Sequence, residues 1–256
     1  MKKLAFGLIA GLLMSGAAMA ETVKVGIAAE PYPPFASPDA SGKWTGWEVE
    51  MIGAVCKAAA LDCEVVPVAW DGIIPALTSG QIDAIMASMS ITEERMKTID
   101  FSNKYYNTPT VIVGPKGVEM AATPEGLAGK ILGVQVSTIH EAYAQKHFAA
   151  TAGEIKVYQT QDEANQDLVA GRIDATQADS IALDAFLATP EGAACCESKG
   201  AVADDTDVLG LGVGVGLRKG EEALKEKFNA GIAKVLEDGT YEAISKPYFA
   251  SSIYGG

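Results

Sequence analysis

The 256-residue sequence is short of histidine, cysteine and positive charge: it has two, four, and 20 lysines and arginines against 33 acidic residues. Each scarcity excludes something. His140 and His147 sit seven apart on one predicted helix, whereas a helical metal pair uses i, i+4 spacing, so no metal site and no cofactor are expected. No nucleophile triad is evident in the sequence. The formal charge of −13 has the wrong sign for a nucleic-acid partner, whose phosphates call for a basic surface. A membrane-spanning run is missing too, because the apolar stretch from Leu4 to about Met14 is well short of the roughly 20 residues a bilayer needs.

That stretch has another reading. Lys2 and Lys3 precede it and Ala18-Met19-Ala20 follow it, which is the pattern of a secretory signal peptide over residues 1–20 with cleavage before Glu21. No cysteine follows the cleavage point, so a lipid anchor is not expected and a soluble periplasmic protein is. In an oxidising compartment Cys56 and Cys63, seven apart, are expected to form a disulfide. Cys195 and Cys196 are adjacent; free thiols, a vicinal bridge and an intermolecular link all remain open.

The mature chain reads as two copies of one plan. Strand Val23 to Ala28, helix Glu48 to Ala60, strand Glu64 to Ala69, helix Ile73 to Leu77 and strand Ile82 to Ala87 make a βαβαβ unit. The order recurs from Ile131 to Gln177. Gly80-Gln81-Ile82-Asp83-Ala84 and Gly171-Arg172-Ile173-Asp174-Ala175 mark the same junction, a helix stopping and an apolar strand starting. Phe101 to Thr110 is read as the link between copies, and Ala201 to Gly212 as the return. The C-terminal part has no complete core of its own and is placed back on the first copy. The expectation is an α/β protein of two lobes, residues 21–106 with 210–256 and residues 107–209, each an open sheet with helices on both faces, joined by a two-segment hinge that closes on a ligand.

Open α/β sheets bind ligands beyond the carboxyl ends of their strands. Ser88 and Asp179, each eight residues past the shared glycine, fall there. Arg95 lies in the first turn of a helix capped by Thr92, where a cation opposes the helix dipole unless it serves an anion. Ser137-Thr138 precedes a helix and can present N–H and hydroxyl groups to a carboxylate, or simply cap it. Asp179 can take an ammonium or cap the helix after it. Tyr32 and Trp70 offer aromatic faces for a side chain, while Trp44 and Trp47 read as packing residues.

Together, Tyr32-Pro33-Pro34-Phe35, Gly46-Trp47-Glu48, Trp70 to Leu77, Ile82-Asp83-Ala84, Ser88 to Thr92 with Arg95, Phe101-Ser102, Gly133-Val134-Gln135 with Ser137-Thr138, Gly214 to Arg218 and Asp238 to Tyr241 resemble the polar amino-acid and opine family of periplasmic solute-binding proteins, most of all its lysine/arginine/ornithine, histidine and opine branch. The resemblance implies a monomer that delivers an amino acid or opine to a membrane ABC permease. It implies Arg95 and Thr138 on the ligand carboxylate, Ser88 and Ser90 on the zwitterion with Met89 and Ser137 beside them, and Asp179 on the ammonium. Tyr32 and Trp70 would enclose the side chain, and the Cys56–Cys63 bridge occurs in that branch. The chain departs from it in having Ala29 three before the tyrosine, with Glu30 two before it as the remaining side-chain reader. It also has Gln177-Ala178-Asp179 where relatives read Gln-Asp.

A secreted enzyme resembling cyclohexadienyl dehydratases is the rival, with Glu30 or another cleft carboxylate as its general acid. A nucleotide loop at Gly210 to Gly216 fails, because that run becomes a strand and no helix starts at its last glycines.

Overall fold

In the computed structural model, which describes residues 22–255, the chain starts with strand β1 (Val23–Ala28). Residues 1–20, read as a signal peptide, lie outside the described residues. A small hairpin follows, β2 (Ser37–Pro38) with β3 (Trp44–Thr45). Helix α1 (Trp47–Ala58), strand β4 (Cys63–Val68), a 3-10 turn at Trp70–Gly72, helix α2 (Ile73–Thr78) and strand β5 (Ala84–Ile85) complete the first unit. Next come helix α3 (Glu93–Met96), β6 (Ile99–Tyr106) and β7 (Thr110–Pro115). The second unit is β8 (Ile131–Gln135), α4 (Ile139–His147), β9 (Glu154–Tyr158), α5 (Gln161–Val169) and β10 (Ala175–Asp179). After α6 (Ser180–Leu187), α7 (Pro190–Cys195), β11 (Cys196–Ala201) and α8 (Thr206–Leu209), the chain ends in β12 (Val213–Arg218), α9 (Glu222–Glu237) and α10 (Thr240–Ser245).

Two five-stranded sheets result, ordered β4-β1-β5-β12-β6 and β11-β7-β10-β8-β9. Read from the βαβαβ end they share one design. Three strands run parallel, then one antiparallel strand and an edge strand follow. The antiparallel strand arrives from across the hinge in each case: β12 enters the first sheet after the chain has built the second, and β7 enters the second straight from β6. The crossings are residues 107–109 and 202–212.

β1 is flanked by strands on both sides and covered on both faces, which is why its Val25 and Ile27 are fully buried. Under the first sheet, Phe35, Trp47, Tyr105, Tyr106 and Tyr241 pack as an aromatic cluster with ring centroids 5.0–6.2 Å apart. Trp47 is the packing residue its sequence context implies, and its indole N–H donates to Ser245 Oγ at 2.9 Å. Helix α1 rests on α9 at Gly231, where a Cβ would come within 2.6 Å of the Val55 carbonyl oxygen. The second sheet has separate cores on its two faces, around Leu132, Val134 and Phe148 and around Val113, Leu168 and Leu183.

Cys56, at the end of α1, is bonded to Cys63, at the start of β4. Cys195 and Cys196 are bonded to each other at the junction of α7 and β11.

Candidate functional site

The strand ends of the two sheets and both crossings surround one cavity of about 650 Å³, inside the range of small-molecule sites. Glu30, Tyr32, Trp70, Ser88, Ser90 and Arg95 line it from the first lobe, and Thr138 and Asp179 from the second. Two hydrogen bonds span it. The Trp70 indole N–H donates to the Val136 carbonyl at 3.1 Å, and Arg95 Nη2 donates to the Ser137 carbonyl at 3.3 Å.

Arg95 is held by the capping of its own helix: Thr92 Oγ1 accepts the Arg95 N–H at 3.2 Å. Its Nη1 donates to the Ser90 carbonyl at 3.0 Å, and the guanidinium lies 5.5 Å from the centre of the Trp70 ring. No carboxylate pairs with it among the described residues. Burial lowers its pKa to about 10, so it stays cationic at neutral pH, partly desolvated and unneutralised. Such a group is prepared for an anion.

Asp179 caps the helix after it and also faces the cavity. Its Oδ1 caps α6 by accepting the Ile181 N–H at 2.9 Å, and it also lines the cavity, where the Thr108 hydroxyl donates to Oδ2. Burial outweighs these hydrogen bonds and raises its pKa to about 6. A ligand cation would reverse that.

Ser88 is a non-glycine residue with a left-handed backbone, φ 54, as is Ser137, φ 59. Both follow the strand ends that face the cavity, and strain of this kind persists where surrounding groups enforce it. At Ser88 the enforcing group is Glu48, in the first turn of α1. Glu48 accepts the Ser88 N–H at 2.8 Å, the Ser88 hydroxyl at 3.2 Å and the Tyr105 hydroxyl. Glu48 is 1% exposed, and burial pushes its carboxyl pKa upward. Sequence reasoning quoted it in a motif without giving it a role; the available signal was a glutamate at a position where α1 turns its apolar face inward.

Two of the expected residues are placed elsewhere. Met89 is fully buried with Ile73, Leu77, Ile82, Ile85 and Ile99; the chain bends at Ser88, whose backbone is left-handed, and Met89 goes into that core while Ser88 and Ser90 line the cavity. Ser137 is exposed and does not line the cavity. Its N–H is taken by Glu141 Oε2 at 2.6 Å, and only its carbonyl reaches the site, through Arg95. Thr138 does line the cavity, with its hydroxyl committed locally: it donates to the Gln135 carbonyl at 2.7 Å and accepts the Glu141 N–H at 3.1 Å. Glu30 lines the cavity while its Oε2 accepts the Trp70 N–H at 3.0 Å.

Several lining residues were not anticipated, among them Asn107 and Thr108 of the first crossing, Asp204 and Leu209 of the second, and Gln135, His140 and Gln161. His140 is buried, with its Nδ1 3.2 Å from the Thr110 hydroxyl. Burial and then the nearby Arg95 lower its pKa to about 3, so it is neutral.

Comparison with known proteins gives a consistent result. Residues 23–251 match the model of bacterial extracellular solute-binding proteins, family 3. The chain is 40% identical to the L-arginine-binding protein of Pseudomonas aeruginosa, over 100% of this chain and 99% of that one. It is 38% identical to the histidine-binding periplasmic protein of Salmonella typhimurium, over the whole of both. Among solved structures, an ancestral arginine-binding protein bound to glutamine superposes with a TM-score of 0.80 at 35% identity, covering 91% of this chain and all of that one.

Proposed function

The chain belongs to family 3 of the bacterial extracellular solute-binding proteins, and from that premise we propose that Arg95 and Asp179, one from each lobe, neutralise the two charged ends of one free amino acid. The protein is the extracytoplasmic amino-acid-binding component of an ABC importer, a binding protein and not an enzyme. The dehydratase alternative is less favoured, since these relatives are binding proteins and Glu30, one of the carboxylates that could serve as its general acid, accepts the Trp70 N–H.

The observation that carries the proposal is a cationic Arg95 without a carboxylate partner, in the same cavity as an acidic Asp179 from the other lobe. The ligand carboxylate lies against the Arg95 guanidinium and the Thr138 N–H, with Ser88 and Ser90 beside it. Its ammonium meets Asp179. The side chain, cationic or polar, or the second branch of an opine, runs between Tyr32 and Trp70 toward Glu30. The lobes are residues 21–106 with 210–256 and residues 107–209, and the two crossings act as the hinge. Closure removes water from charges that are paired only when ligand is present, so the bound state is the closed state. Residues 1–20 serve as a cleaved signal peptide. The protein acts as a monomer beside its permease, and its charge of −13 keeps nucleic acid away.

The test is a thermal-shift screen of amino acids and opines on ligand-stripped protein, because a ligand that binds only the folded state raises the melting temperature. A screen in which no amino acid or opine raises it refutes the proposal.

A further inference from the structure

Two glutamines in the second lobe line the cavity, and each commits its amide NH₂ to partners within the protein. Gln135 ends β8 and Gln161 opens α5, just after β9, the strand paired with β8. Both line the cavity, and they are 8% and 5% exposed.

The orientation of each amide is fixed by its partners. Gln135 Nε2 donates to the Gln159 carbonyl at 3.1 Å. A carbonyl only accepts, so the NH₂ must face it and the amide oxygen must point the other way. Gln161 Nε2 lies 2.8 Å from Thr176 Oγ1 and 3.0 Å from Asn165 Oδ1. The Thr176 hydroxyl gives its one proton to the Gly133 carbonyl at 3.2 Å, so toward Gln161 it can only accept. The NH₂ of Gln161 is therefore also spoken for. The two remaining Oε1 atoms have no hydrogen-bond partner among the described residues, yet neither is sealed off as a buried unsatisfied atom. Leaving such oxygens unpaired in a closed, dry site is costly, and a donor supplied by the ligand removes the cost.

We infer that Gln135 and Gln161 form an acceptor-only pair that reads N–H groups at the far end of the ligand's side chain, the class being guanidinium, ammonium, carboxamide or imidazole, and turns away a side-chain carboxylate. This rests on the amino-acid-binding reading above. It assigns part of the discrimination to neutral groups of the second lobe, in addition to Glu30 in the first. Two carbonyl oxygens facing a carboxylate repel it, while an aliphatic tip satisfies neither.

The experiment is calorimetric titration of ligand-stripped protein with arginine, glutamine, glutamate and norleucine, for the natural chain and for Gln135→Met, which keeps length and removes the oxygen. The natural chain should bind arginine or glutamine at least about tenfold more tightly than norleucine, and glutamate more weakly still. In Gln135→Met the preference over norleucine should shrink by about tenfold, with norleucine affinity itself unchanged. If the natural chain binds norleucine as well as arginine and glutamine, the acceptor pair reads nothing and the inference is overturned. It is overturned as well if Gln135→Met weakens all ligands equally. Binding of none of the four by the natural chain would instead sink the amino-acid reading itself, and the inference with it.

Discussion

Replacing Asp179 by asparagine should stabilise the empty protein at neutral pH and disable it as a receptor. Burial raises the Asp179 carboxyl from 3.8 to about 6, against the opposing hydrogen bonds from Thr108 and Ile181. Between those two values the folded state holds a proton that the unfolded state has already lost. Stability contributed by this group is therefore present at low pH, falls as the pH rises through the window, and stays low above it. A difference of about two units corresponds to roughly 3 kcal/mol. Asparagine never ionises, and its Oδ1 still accepts the Ile181 N–H, so α6 keeps its cap. The unliganded variant should gain up to that amount near pH 7.5, about 2–4 °C in melting temperature for each kcal/mol in a chain of this size. Ligand should reverse the ranking. An ammonium beside Asp179 favours the ionised form, and losing that partner costs about 2–5 kcal/mol, at least about thirtyfold in affinity. Natural-chain affinity should fall about tenfold per unit below about pH 6, and the variant's should not. Thermal melts with and without saturating ligand near pH 7.5 and pH 5, with calorimetry, measure all three. An empty variant that melts below the natural chain near pH 7.5, or one whose affinity keeps the natural pH profile, refutes the reasoning.

Arg95→Ala should weaken every amino-acid ligand by about a hundredfold or more, since a buried carboxylate loses its only cationic partner; calorimetry across a ligand panel would detect a loss confined to some side chains, which would remove Arg95 from the carboxylate. Glu48→Gln keeps one oxygen for the Ser88 N–H and the Tyr105 hydroxyl but sets an NH₂ against the Ser88 hydroxyl, so it should cost about 1 kcal/mol in urea unfolding and weaken ligand through Ser88; unchanged values on both counts would mean Ser88 holds its conformation unaided. Replacing Cys56 and Cys63 by serine opens a bridge across a sequence separation of seven, with an expected loss of about 2.5 kcal/mol in the chain-entropy account and no effect on affinity; a changed ligand affinity would show that the bridge supports the site.

Much of the fold was legible because it repeats. Strand β1 occupies the expected Val23–Ala28, and α2 starts at the expected Ile73 and ends one residue late, since both carry clear periodicity. In the two large sheets the strands missed are β6, β7 and β11, and the small β2–β3 hairpin was read as loop. Phe101–Thr110 was read as a connector because Asn103 and Lys104 interrupt the apolar alternation; β6 is an edge strand on which Asn103 is exposed and Lys104 half-buried. Strand β11, Cys196–Ala201, is also at an edge and has hardly any apolar residues to reveal it. Its pairing with β7 supplies what its side chains do not.

The site divides along a similar line. Charged and aromatic residues just past strand ends announce themselves, and Arg95, Asp179, Tyr32 and Trp70 all line the cavity. What stayed hidden acts through geometry that no local pattern records. Met89 looked equivalent to its serine neighbours, but the bend at Ser88 leaves it packed in the core. Ser137 looked like an anion cradle, but Glu141, four residues on, takes its N–H. Gln135 and Gln161 are ordinary polar residues in sequence; their significance comes from where their amide hydrogens go, to Gln159 and to a threonine that Gly133 has already claimed. A cavity wall is chemically defined by what remains after such internal bonds are made. In this protein the wall carries the Arg95 guanidinium, the Lys104 amine, several carboxylates and, on the inference above, a pair of amide oxygens, an arrangement suited to a ligand with one acidic group and donors elsewhere.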